Sequence, residues 1–227
     1  MSLMLKKLYK NKFFRKILAW RALFYFVEKS PNEINTIKYL YFLSDSNKIR
    51  KNKMVSSMKA DEHCRALIDG RRRLECFSDT TQLKNCNENT LGFLYAKHLE
   101  ENNIIEVVPM NQRIFSDYQY IVHPIITTHD IYHVVLGRGV SFNDEGAVAA
   151  FTVAQIPHYM PANFHIAAGI LRVVCKEDFD LSVSYSVMYD AVMQGRKAKQ
   201  LFSVNWDEWI NTDIMELRAF LNIDRFD

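Results

Sequence analysis

Glycine and proline are scarce, at 7 and 5 of 227 residues. An all-β domain of many tight turns needs more of both, so helices are favoured. Cysteine is rare too. Cys64, Cys76, Cys86 and Cys175 include no C-x-x-C pair, which argues against a thiolate zinc site. In a reducing compartment they read as free, buried, small hydrophobes. No apolar run approaches the ~20 residues that cross a bilayer. The longest candidate, 17–27, is interrupted by Arg21, and no signal-peptide cleavage pattern follows it. The net charge is only +3, with no Arg/Lys stripe interleaved with aromatics, so no nucleic-acid partner is expected.

Acidic residues are absent from the first 27 positions, which carry seven basic side chains. Apolar residues recur there at helical spacing, at Leu5, Tyr9, Phe13, Ile17, Trp20, Phe24 and Val27. The pattern predicts a basic amphipathic helix over 1–29. Such a helix packs on a core or lies on a membrane surface. A basic, acid-free segment also suits a mitochondrial transit peptide.

With 48% hydrophobic and 24% charged residues, the composition is that of an ordinary soluble domain. The length supports one well-buried core. The expected fold is all-α, a single-domain helical bundle with irregular connections over 1–227. Ser30, Pro31 and Glu33 start a helix to 43. A polar loop at 44–53 follows, then a helix over 56–68 ending at Gly70. Residues 70–89, with the triplet Arg71-Arg72-Arg73, read as irregular. Asn89 or Thr90 caps a helix to Glu101. The apolar 104–108 reads as a short strand or extended connection. Ser116 and Asp117 open a helix that Pro124 kinks or breaks, with a new start near Thr127 or Thr128.

Further on, 146–156 is apolar all round and therefore central. Pro157 and Pro161 bracket a turn, in which His158, like the later His165, reads as structural. Residues 162–174 form another apolar helix. Asp178 or Asp180 caps the next, with Gly195 as its C-cap and Arg196, Lys197 and Lys199 just beyond. Asn205 or Asp207 starts the last helix, with Trp206, Trp209, Ile214, Leu217 and Leu221 on its apolar face.

The chemistry concentrates between 129 and 145. His129 and His133 are four residues apart and share a helix face. Asp130 lies on the flank of that stripe. Gly137 and Gly139 end the helix. Asn143 and Asp144 cap the next, which puts Glu145 in its first turn. If the chain reverses at the glycines, His133 and Glu145 are level across the hairpin. Two imidazoles and one or two carboxylates can then hold a divalent metal. Zinc fits best, and iron, manganese or magnesium also fit. Asp130 is either a ligand or an acceptor that fixes a histidine tautomer.

The pattern H-D-x-x-H, eleven residues, then E is complete at His129, Asp130, His133 and Glu145. It resembles the signature of the coenzyme Q (ubiquinone) biosynthesis family, fourth of the Coq series. The stretch N-T-L-G-F-L-Y-A-K-H-L-E-E-N-N-I (89–104) is similar to that family's T-L-G-x-x-Y-x-x-F/H-L segment. Similar too are the approach Ser116-Asp117-Tyr118-Gln119-Tyr120 and the C-terminal Gln194-Gly195-Arg196, Trp206-Asp207-Glu208-Trp209 and Glu216-Leu217-Arg218. The likeness covers roughly 57–223. It departs at His123-Pro124, where the family has an arginine, and at 138–142, which lacks the usual prolines.

The resemblance implies a polyprenylated hydroxybenzoate or quinone precursor as ligand and oxidative decarboxylation at ring carbon one. It also implies other quinone-biosynthesis proteins as partners. The ring would sit at the metal. The tail would lie between 146–156 and 162–174, with contacts nominated at Tyr132, Phe142, Phe151, Ile156, Arg196 and Lys199. The implied location is cytoplasmic and peripheral to the membrane, or the matrix side of the mitochondrial inner membrane in a eukaryote. The aromatic load suggests a homodimer. One alternative is a non-catalytic isoprenoid-binding scaffold. Another is a His-Asp metal phosphohydrolase, for which His123 and Asp180 would supply the missing ligands. The motif argues against a metalloprotease, because Asp130 stands where H-E-x-x-H has its glutamate base.

Overall fold

The computed structural model describes residues 48–71, 80–104, 114–159 and 180–224, with single positions between 13 and 24 and between 163 and 172. The helices expected over 30–43 and the strand or connection over 105–108 lie outside the described residues, as do His165, Cys76 and Cys175. The described residues are helical, as the scarcity of glycine and proline predicts. Among them no strand forms, and one isolated bridge joins Thr90 to Asp213.

Two helices open the well-described part, α1 (Lys48–Met58) and α2 (Glu62–Gly70). The loop expected over 44–53 is therefore corrected, because helix begins at Lys48. Met54 and Met58 are buried against Tyr120, Ile121 and Ile125, so packing, not local propensity, makes α1 helical. The helix expected over 56–68 is split at 59–61. Asp61 caps α2 by accepting the Cys64 N–H at 2.8 Å. A single turn, α3 (Thr80–Leu83), interrupts the irregular stretch.

Helix α4 (Leu91–Glu101) starts after Thr90 as expected. Next, α5 (Asp117–Thr127) is capped by Ser116 and runs through Pro124. Thr128 separates it from α6 (His129–Leu136), so the axis resets just where the sequence predicted. The eight residues of α6 are too few to hold a helix in water. Burial of Ile131, Tyr132, Val135 and Leu136 supports it instead, at about 1.5–3 kcal/mol per large apolar side chain.

The central helix is α7 (Phe142–Gln155), buried on nearly every side. It supplies Val148 and Phe151 to a cluster with Leu91, Ile131, Leu136, Trp206 and Leu217. It supplies Ala149, joined by its C-cap Ile156, to a second cluster with Met54, Ile68 and Ile121. Alongside lies α8 (Leu181–Lys197), capped by Asp180. Ser184 near its start bonds Asn143 near the start of α7. Gly195 near its end meets Phe151 and Ala154. The two helices therefore run in the same direction, joined by a return segment in which Asn163, Ala167, Ala168, Leu171 and Arg172 are helical.

Gly195 is thus not a C-cap. Helix α8 continues to Lys197, and the glycine lets two helices approach. Gln155 fixes that crossing. Its amide donates to the carbonyl of Lys199 at 2.8 Å, and its carbonyl oxygen accepts the Leu201 N–H at 3.0 Å. Two 3₁₀ turns follow, Leu201–Ser203 and Trp206–Trp209. The last helix, α9 (Ile214–Leu221), is capped by Asp213 rather than by Asn205 or Asp207. Asp213 wins because the bridge to Thr90 fixes its backbone and its carboxylate accepts the Met215 N–H.

Candidate metal centre

Helices α6 and α7 form the predicted hairpin. Gly137, with φ +66°, ends α6 in the left-handed region that glycine adopts without strain. The Gly137 N–H bonds Val134 O and the Arg138 N–H bonds His133 O, the paired closure of a Schellman end. Arg218 of α9 reinforces it, donating to the carbonyls of Val135 at 2.7 Å and Val134 at 3.0 Å. Its charge sits where the helix dipole is negative. Ser141, not Asn143 or Asp144, is the N-cap of α7, accepting the Asp144 N–H. Asn143 is held instead by the Ser184 hydroxyl. Glu145 falls in the first turn of α7, as expected.

The hairpin brings His129, His133 and Glu145 together. His133 Nε2 lies 3.2 Å from His129 Nε2. Glu145 Oε2 lies 3.3 Å from His129 Nε2 and 3.6 Å from His133 Nε2. Two donors 2.0–2.1 Å from one ion at a tetrahedral angle are separated by about 3.3–3.4 Å. The three donors thus already form one face of a tetrahedron, and the group can hold a metal ion. His133 is fully buried, Glu145 nearly so, and His129 is 39% exposed in its side chain. The site is therefore closed on the His133 side and open at His129.

His133 is held in one tautomer. Its Nδ1–H donates to the Gly139 carbonyl at 2.7 Å. A carbonyl only accepts, so Nδ1 keeps its proton and Nε2 is the nitrogen left to bind a metal. The carboxylate of Asp130 faces away, with Oδ1 3.9 Å from Nε2 of His98 on α4. His98 is the residue that sequence reasoning missed. Its ring stacks on His133, with centroids 5.4 Å apart and planes at 22°. The available signal was its place at the F/H position of the T-L-G-x-x-Y-x-x-F/H-L segment, on the apolar stripe Leu91, Tyr95, His98.

Electrostatics bind the triad in the absence of metal. Burial raises the Glu145 carboxyl, but hydrogen bonds and charge from His129 and His133 outweigh it, leaving the group well below the usual carboxylate range. Burial lowers His129, yet bonding to Glu145 and the charges of Glu145 and Asp130 win, so its proton is held more tightly. Burial also raises Asp130, and the facing histidines more than offset it.

These directions set a pH dependence. The raised His129 stabilises the metal-free fold fully below about pH 6.5, the ordinary histidine value, and that contribution is lost as pH rises through its folded value. The lowered Glu145 contributes above about 4.5 and is lost as pH falls through its folded value. A metal must displace the His129 proton, so its stabilisation grows in the opposite sense. The gap in Tm between metal-loaded and metal-free protein should therefore widen from pH 6 to pH 8. A flat gap in thermal scans would remove His129 from the ligand set.

The nominated tail contacts fall in three places. Tyr132, Phe151 and Ile156 are fully buried, and Tyr132 packs edge-on to Phe151 with centroids 6.4 Å apart. Phe142 is half-buried, packed with Leu23 and Leu171 around Ala168, with the Arg172 guanidinium over its ring. Arg196 and Lys199 are exposed at the far end of α8. Arg196 lies about 18 Å along the helix from Ser184, which touches the start of α7. The phosphohydrolase ligands are not assembled among the described residues. Asp180 is occupied as the exposed cap of α8, and His123 is not in the group with His129 and His133.

Known proteins resemble this chain in sequence and in fold. A sequence model of the family described as coenzyme Q (ubiquinone) biosynthesis protein Coq4 matches residues 32–227. The mitochondrial ubiquinone biosynthesis protein COQ4 of Coccidioides immitis (strain RS) is 27% identical over 173 residues, covering 74% of this chain and 59% of that one. The mitochondrial COQ4 homolog of Anopheles gambiae is 27% identical over 176 residues, covering 76% and 61%. The chain thus spans about six-tenths of the length of these curated relatives. A crystal structure of a provisionally named ubiquinone biosynthesis protein from Nostoc punctiforme PCC 73102 shares the fold. Its TM-score is 0.72 at 21% identity, covering 91% of this chain and 97% of that one.

Proposed function

The chain belongs to the coenzyme Q (ubiquinone) biosynthesis protein Coq4 family, and from that premise we propose that it is a metal-dependent oxidative decarboxylase of a polyprenylated hydroxybenzoate ring. The observation that carries the reading is the triangle of His129, His133 and Glu145 donors, open on one side. Three protein ligands with a free position are the arrangement of a catalytic ion rather than a structural one. The 3.2–3.6 Å edges favour zinc over an octahedral magnesium site, whose donors would sit about 2.9–3.0 Å apart. A bound ion would supply a Lewis acid for a ring carboxylate or phenolate oxygen, while water would provide the hydroxyl that replaces the departing carbon dioxide and dioxygen would accept the two electrons as hydrogen peroxide.

The chain's own residues do the rest. Gly139 keeps the His133 lone pair aimed at the cluster. His129 forms the accessible edge. Phe142, Leu171 and Leu23 offer an apolar surface near the start of α7 for the prenyl tail. The basic N-terminal segment supports a membrane-surface location. Phe13, Ile17, Trp20 and Phe24 are helical, share one stripe and are 47–70% exposed. Among the described residues no helix is long and apolar enough to cross a membrane.

One observation favours the second reading, a non-catalytic isoprenoid-binding scaffold. Val183, Tyr185 and Tyr189 of α8 are 47–64% exposed, which suits docking to a second copy or to another biosynthetic protein. Turnover separates the two. Metal-loaded protein in detergent, given a prenylated 4-hydroxybenzoate carrying a labelled carboxyl group and dioxygen, should release labelled carbon dioxide. Release absent with zinc, iron and manganese alike, from protein that retains the prenylated compound, would establish the scaffold.

A further inference from the structure

His98 reaches the metal hairpin from a separate helix by two contacts, with His133 and with Asp130. Its ring lies face to face with His133 at 5.4 Å. Its Nδ1 lies 3.5 Å from the side-chain amide nitrogen of Asn102, which also donates to the His98 carbonyl at 2.8 Å. An amide N–H can only be received by a bare ring nitrogen, so the proton of His98 resides on Nε2. That Nε2 is buried, has no hydrogen-bond partner among the described residues, and faces the Asp130 carboxylate at 3.9 Å. A buried N–H with no partner is costly and rare. Here it is aimed at a carboxylate within a small rotation of bonding distance.

Resting on the metal-site reading above, we infer that His98 is a positioning residue of the metal centre, acting through Asp130. Its Nε2–H fixes the Asp130 carboxylate on α6, and Asp130 sits between the two ligating histidines in sequence. Groups that orient metal ligands in this way change affinity by about 10–100-fold when removed. No contact within the hairpin reproduces this, since α4 is joined to α6 only through tertiary packing.

Two substitutions divide the roles of the ring and the N–H. His98→Phe keeps a ring against His133 and deletes the donor. His98→Gln keeps a donor near the Nε2 position and deletes the ring. Metal affinity is read by competition with a chelator, and ligand geometry by the visible absorption of the cobalt(II)-loaded protein. Circular dichroism and Tm report the fold separately. His98→Phe should bind metal about 10–100-fold more weakly, with an altered cobalt spectrum. His98→Gln should stay within about threefold of wild type, a small part of that range, and keep its spectrum.

Equal loss in both variants would make His98 a packing residue and overturn the inference. So would a His98→Phe protein with wild-type affinity and spectrum. Should His98→Phe not fold, Asn102→Ala tests the same lock from its outer side, and unchanged affinity there overturns it equally. A wild-type protein that takes up no metal overturns the site itself, a result distinct from wild type that binds and His98 variants that do not differ.

Discussion

Glu145→Gln should abolish stoichiometric metal binding while the protein stays folded. Gln has the same shape, so α7 and its Ser141 cap are undisturbed. What is lost is the single negative charge facing two imidazoles at 3.3 and 3.6 Å. Removing an orienting group costs about 10–100-fold in affinity, and removing a ligand should cost more, on the order of a thousandfold. The same change acts on the metal-free protein. His129 loses the partner that holds its proton, so the stability maximum between about pH 4.5 and 6.5 should flatten. Asp144→Asn is the control. Asp144 is one residue away but is engaged with Ser141 and Arg138, outside the triad. Elemental analysis should find about one equivalent of metal in wild type and Asp144→Asn, as a single site requires, and almost none in Glu145→Gln. Full occupancy in Glu145→Gln would move the site elsewhere.

The hairpin was legible because all its signals are local. Helical spacing aligned His129 with His133, glycine marked the stop, and a short loop brought Glu145 level. Asp130 was ambiguous for a physical reason. Its orientation depends on α4, thirty residues upstream, and nothing near 130 in sequence says that His98 is there. Helix starts with a single strong cap, such as Ser116 and Asp180, were also readable. Others were not. The first half of α1 is polar and charged, and its helicity comes from Met54 and Met58 packing under α5. The start of α9 passed from Asn205 and Asp207 to Asp213 because a bridge to Thr90 fixes the backbone there. In each case a partner distant in sequence outweighed local preference.

Gly195→Ala should destabilise the protein, against the usual sign for a helix interior. Replacing glycine by alanine inside a helix normally gains about 0.5–1 kcal/mol. At Gly195 the added Cβ would lie 2.8 Å from the carbonyl oxygen of Phe151 and 3.0 Å from the Ala154 Cβ. The first is backbone of a buried helix and cannot swing aside. Helices α7 and α8 must separate, opening the packing around Phe151 and straining the Gln155 bonds to Lys199 and Leu201. Overpacking of this kind costs about 1–3 kcal/mol, which for a chain of this size lowers Tm by about 2–4 °C per kcal/mol. Gly195→Val should lie at or beyond the upper end. Gly70→Ala is the matched control, because its Cβ would meet nothing within 4 Å, and it should be neutral or slightly stabilising. Thermal and urea denaturation of the three variants checks the order. The strained crossing lies six to nine residues along α7 from Glu145, so the folded fraction of Gly195→Ala should bind metal as wild type does. If Gly195→Ala melts higher than wild type, the glycine is a propensity defect and not the contact point of α7 with α8.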